Sequence, residues 1–106
     1  MSGEQSPQPT IAELNDAFRR TTRRIVITPG VGEFDDLLAL IMAVRTFDDF
    51  NEDNDPHLEH DFGALDWHDE RTYWKIEYFN KELTAWEDPL SPECERIMTV
   101  GLLSEY

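Results

Sequence analysis

Cysteine is all but missing from this chain. Cys94 stands alone, which excludes an internal disulfide and any cysteine-rich metal site, and which fits a reducing compartment. Long apolar runs are missing too: no stretch approaches the about 18 consecutive apolar residues of a membrane span. The start, MSGEQSPQP, has neither the basic nor the apolar region of a secretory signal. These absences predict a soluble, cytoplasmic protein that does not engage a membrane. Basic side chains are scarce beyond residue 32, where five stand against twenty acids. Residues 1–32 hold four arginines against three acids, so the net charge of −14 belongs almost entirely to the rest. Such a field repels nucleic acid and attracts basic protein surfaces, and its self-repulsion disfavours dense homo-oligomers at low salt.

Nucleotide and nucleophile motifs are lacking as well. The turn Thr28–Glu33, TPGVGE, has two glycines but neither G-x-G-x-x-G nor a P-loop Lys-Ser/Thr pair. No G-x-S-x-G elbow occurs, and Cys94 falls on an expected core face.

What is present fits one core. Residues 1–9 read as a flexible lead, and 10–106 as a single acidic α+β domain. Thr10 and Glu13 form a T-x-x-E capping box ahead of Ile11, Leu14 and Phe18, predicting a helix over about 10–21 with Arg19 and Arg20 on its exposed side. Arg24–Thr28 is β-branched and predicts a strand stopped by Pro29-Gly30. Phe34–Phe47 carries Phe34, Leu37, Leu38, Ile41, Val44 and Phe47 at helical spacing, widened by Leu40 and Met42. Phe62–His68 and Thr72–Phe79 alternate, predicting a hairpin that turns near Asp69-Glu70 and buries Leu65, Trp67, Trp74, Ile76 and Tyr78. Ser91-Pro92-Glu93 reads as a helix opening, followed by Cys94, Ile97, Met98, Gly101, Leu102 and Tyr106 at three- and four-residue steps. The expected order is αβαββα, a three-stranded antiparallel sheet with helices on one face.

Asp48–Gly63, DDFNEDNDPHLEHDFG, holds seven carboxylates and two histidines with no lysine or arginine. As an EF-hand loop counted from Asp49 it fails twice, with Asn54 where glycine is required and His60 where a bidentate glutamate is required. His57-Leu58-Glu59-His60 is not H-E-x-x-H. We therefore expect no metal, no cofactor and no catalytic residue. Asp53-Asn54-Asp55-Pro56 fits an Asx turn, and Asn54, Asp55, His60 and Asp61 are candidates for bracing the loop. The exposed carboxylates have another use. Duplex DNA presents one negative charge per about 1.7 Å of axis, and a rigid display of carboxylates can take its place in a cationic groove. Asp48, Asp49, Glu52, Asp53, Asp55 and Glu59, with Asp66 on one strand and Glu77 on the next, are the candidate partner-binding residues.

The pattern Glu52–Pro56, two free positions, then Glu59–Gly63, together with Trp74, Lys75, Ile76 and Tyr78 and the ending Ser104-Glu105-Tyr106, resembles a family of small bacterial proteins. That family is a domain of unknown function, found largely in alphaproteobacteria and often on plasmids and other mobile elements, and the resemblance covers residues 11–106. Two departures stand out: Glu77-Tyr78-Phe79 replaces the family's Asp-Tyr-Tyr, and the loop at Trp86–Glu93 is shorter than the family's. What the resemblance implies, joined to the acidic body, is an antidefence factor of the anti-CRISPR or anti-restriction kind. Its expected partner is a basic protein surface, such as a CRISPR effector or restriction complex, with no direct contact to nucleic acid. The first alternative is a regulatory or antitoxin-like interaction module. The second is a metal-dependent enzyme using the acidic loop around His57 and His60.

Overall fold

A computed structural model describes residues 8–106. The lead expected over residues 1–9 therefore lies, for residues 1–7, outside the described residues. The elements are α1 (Ile11–Thr21), β1 (Ile25–Ile27), α2 (Pro29–Gly32), α3 (Leu37–Arg45), β2 (Phe62–Trp67), β3 (Glu70–Phe79), β4 (Glu95–Leu102) and a closing 3-10 turn, Leu103–Glu105.

The capping box forms as the sequence predicts. Glu13 N donates to Thr10 Oγ1 at 3.1 Å and Thr10 N to Glu13 Oε1 at 2.8 Å, satisfying two of the free amides of α1. The buried stripe of α1 is polar, however. Asn15 and Arg19 are 0% and 2% exposed, so Arg19 belongs to the core and not to the expected solvent side. Its guanidinium donates to Val44 O and Phe47 O, which leaves few orphan donors inside.

The sheet is four-stranded and mixed, in the order β1-β4-β3-β2, not three-stranded and antiparallel. β2·β3 and β3·β4 are antiparallel, and β1 runs parallel to β4, with Ile25 opposite Met98 and Ile27 opposite Val100. The expected C-terminal helix is the strand β4. Ser91 spends its capping capacity on a turn, in which Glu93 N donates to Ser91 Oγ and Cys94 N to Ser91 O. Beyond it the β-branched Ile97, Thr99 and Val100 favour extended backbone, and Met98 and Val100 alternate into the core.

The core lies on one face of the sheet. Trp74, Ile76, Met98 and Val100 meet Val31 from α2 and Leu40, Ile41 and Val44 from α3, with Phe18 of α1 packed alongside. Leu38, expected on the buried face of α3, and Met42, expected to widen it, are instead 80% and 58% exposed, whereas Leu40 is fully buried as expected. The hairpin turns one residue earlier than expected, at His68-Asp69, where φ is 53° and 63°. Two positive φ values in a two-residue loop are the type I′ geometry that matches strand twist. His68 Nε2 reaches Asp36 Oδ2 at 2.7 Å and ties this turn to the start of α3. That bond, above all, holds the Asp36 carboxyl below its ordinary range.

Candidate functional site

The acidic loop between α3 and β2 is built from side chains that capture backbone amides. Asn51 Oδ1 accepts from Asp53 N and Asn54 N, while Asn54 Oδ1 accepts from Asn51 N and its amide donates to Asp49 O. Asp55 Oδ1 accepts from Glu59 N at 2.9 Å and His60 N at 3.0 Å. These bonds hold Leu58 and His60 at positive φ, 57° and 55°. Asp61 O accepts from Ile76 N and joins the loop to β3. The Asp61 carboxyl is raised above its ordinary range, mainly by burial and then by the Glu59 charge.

Two polar clusters anchor the loop to α1. In the first, His60 lies between Asp16 and Asp55, Nδ1 at 3.0 Å from Asp16 Oδ1 and Nε2 at 3.5 Å from Asp55 Oδ2. Its ring stacks on Phe50 at 3.8 Å. Asp16 also receives Arg19 at 3.1 Å, and that guanidinium lies 4.7 Å from the Trp74 ring. In the second, Tyr78 OH donates to Glu59 Oε1, Asn15 donates to Tyr78 OH and Glu59 O, and Arg96 donates to Asn15 Oδ1. Burial, more than any neighbour, pushes the Tyr78 phenol far above its ordinary value.

This geometry divides the candidate partner-binding residues. Asp55 is 3% exposed and occupied by its own loop, and Glu59 is half-buried on Tyr78, so neither is presented to a partner in this conformation. Asp66 is exposed but pairs with Arg71 at 3.1 Å, and Glu77 pairs with Lys75 at 3.6 Å. Those two acids stand at opposite ends of the hairpin, roughly 20 Å apart along it, and form no common patch. Asp48, Asp49, Glu52 and Asp53 are each exposed on the braced loop. Among the described residues none of these four has an ion-pair partner. Asp48 borders a cleft lined also by Arg19, Arg20 and Arg45.

The alternative donors for a metal do not converge. Among the described residues no three His, Cys, Asp or Glu side chains are placed to hold a metal ion together: His60 is engaged with Asp16 and Asp55, while His57 is exposed. No described helix is long and apolar enough to cross a membrane. Sequence reasoning missed Asn15, Arg19 and Arg96 as members of the polar clusters. The available signal was the four-residue step from Asn15 to Arg19, which puts both on one side of α1.

The fold and loop define a small α+β protein with a four-stranded mixed sheet and a braced acidic segment. It belongs to the family described as "Protein of unknown function (DUF3768)", whose model matches residues 13–105. No curated protein and no solved structure matches the chain.

Proposed function

We propose that this protein is a binding module that docks on a basic protein surface through Asp48, Asp49, Glu52 and Asp53. One observation carries the reading: four exposed carboxylates, without ion-pair partners among the described residues, stand on a loop whose backbone is pinned by Asn51, Asn54 and Asp55. A pinned display loses little conformational entropy on binding, and a surface lined by lysine and arginine is its complement. Surfaces that hold nucleic acid have that chemistry, so the partner class is a nucleic-acid-binding protein in the cytoplasm. In the finer form of the proposal the module is an antidefence factor that occupies such a groove as a DNA mimic, as mobile-element carriage of the family would favour.

The test is affinity capture from a bacterial lysate with the wild type and a D49K/E52K/D53K variant, whose bracing residues are intact. The wild type retains basic nucleic-acid-binding proteins, and they leave at about 0.5 M salt, where screening shortens electrostatic reach to a few ångströms. The variant retains none of them. A partner held equally by both proteins overturns the reading.

A further inference from the structure

The two edges of the sheet differ in charge and in what they offer. β2 follows directly on the acidic loop, whereas β1 lies at the opposite edge, in the part of the sequence whose charges nearly balance. The Arg24 carbonyl accepts from Met98 N, and Thr28 N donates to Val100 O, both at 3.1 Å. With the register between β1 and β4, these bonds turn the backbone groups of Arg24, Val26 and Thr28 toward β4. By the alternation of a strand, the N–H and C=O of Ile25 and Ile27 face the open side. Among the described residues nothing pairs with them.

We propose that this edge pairs with the same edge of a second copy of the chain, antiparallel about a two-fold axis at Val26, joining two sheets into one. The arrangement is self-complementary, as a two-fold interface requires. With Val26 opposite the second copy's Val26, Ile25 falls opposite Ile27. Both residues of that pair present outward N–H and C=O groups, so each pair exchanges two hydrogen bonds. Val26 is 51% exposed and lines a shallow cleft with Leu83, Ile97, Arg23 and Arg24, so pairing also covers apolar surface.

Charge selects the same occupant. The register sets Arg24 opposite the second copy's Thr28, on the face where the Thr28 hydroxyl and Gly30 N hold the Glu105 carboxylate. Each copy thus brings Arg24 to the other's Glu105, twice per pair. Arg24 otherwise holds Glu95 at 3.2 Å with 54% of its side chain exposed, a surface contact that exchanges at little cost. The acidic loop lies on the strand furthest from the axis, where repulsion between two chains of net charge −14 is weakest. This inference uses no residue of the proposed docking loop and stands or falls separately.

Sedimentation equilibrium of the full chain over a concentration series tests it. The wild type shows a monomer–dimer equilibrium that strengthens as salt is raised from low to physiological and screens the long-range repulsion. Val26→Glu and Val26→Lys each weaken it about tenfold or more, because like charges then face each other across the axis. An equimolar mixture of the two variants restores association. Val26→Cys in a Cys94→Ser background closes an intermolecular disulfide under mild oxidation, while Thr84→Cys in the same background does not. Circular dichroism confirms that each variant is folded. A wild type that stays monomeric up to about 1 mM overturns the proposal. So does a dimer that Val26→Glu leaves unchanged, or a mixture that fails to reassociate.

Discussion

His60 Nδ1 sits 3.0 Å from Asp16 Oδ1, so a ring on the acidic loop is bound to a carboxylate on the first helix, 44 residues earlier in the chain. The other ring nitrogen faces Asp55, which itself holds the amides of Glu59 and His60. One side chain therefore couples the shape of the loop to its attachment, and separating its two roles is possible by substitution.

His60→Phe keeps a ring to stack on Phe50 but removes the ring nitrogens that face Asp16 and Asp55. We expect a loss of about 1–2 kcal/mol in urea unfolding, the usual effect of stripping a partner from polar groups that are buried, as Asp55 is, or partly buried, as Asp16 is. His60→Ala loses the stacking as well and falls lower. Native-state hydrogen exchange adds the local signature: the Glu59 and His60 amides speed up in both variants, while amides in β3 follow only the global change.

Asp69 occupies the second position of the hairpin turn at φ 63°, a conformation that glycine adopts without steric cost. Asp69→Gly is expected to raise stability by about 0.5 kcal/mol, the relief of backbone strain outweighing the added freedom of the unfolded chain. Thermal melting with unchanged near-UV dichroism is the check. His68 must stay, because it holds Asp36 and the start of α3.

The hairpin and the first helix were legible because their signals are local: alternation in β2 and β3, and a capping box at Thr10. β4 was not, because Cys94, Ile97, Met98, Gly101 and Leu102 satisfy helical spacing while Met98 and Val100 satisfy alternation equally well. Only partners on both sides, β1 and β3, decide between them, and a pairing that spans more than seventy residues leaves no local trace. The acidic loop shows the same limit. Its carboxylates were visible, but whether one faces water depends on which amides it captures. Asp55 captures two and turns inward, whereas Asp53 captures none and stays exposed.

Asp61 offers a test with a definite sign. Burial raises its folded-state pKa above the ordinary carboxyl value, so ionisation opposes folding. The penalty is fully present above the folded pKa and is relieved as pH falls through it toward the unfolded value. Asp61→Asn should therefore melt higher than the wild type at pH 7. The gap should close as the buffer is taken into the acid range where the wild-type carboxyl is protonated. A variant less stable at pH 7 would show that the carboxylate makes a favourable contact that outweighs its burial.

Arg19 is the strongest single test of the polar core. It is 2% exposed, donates to two carbonyls and to Asp16, and lies against Trp74 and Phe50. Desolvation lowers its pKa, yet the guanidinium starts so far above neutrality that it remains charged. Arg19→Ala removes the buried partner of the Asp16 ion pair and strands the Phe47 carbonyl, while Val44 O keeps Phe47 N at 3.2 Å, with an expected cost of about 3 kcal/mol. That is a large share of the about 5–15 kcal/mol typical of a domain. Arg19→Lys keeps the charge but cannot donate along the planar fork to Val44 O and Phe47 O together. It should fall between wild type and Arg19→Ala in urea midpoint, and a lysine variant equal to wild type would mean that charge alone, not the fork, holds α1 to the end of α3.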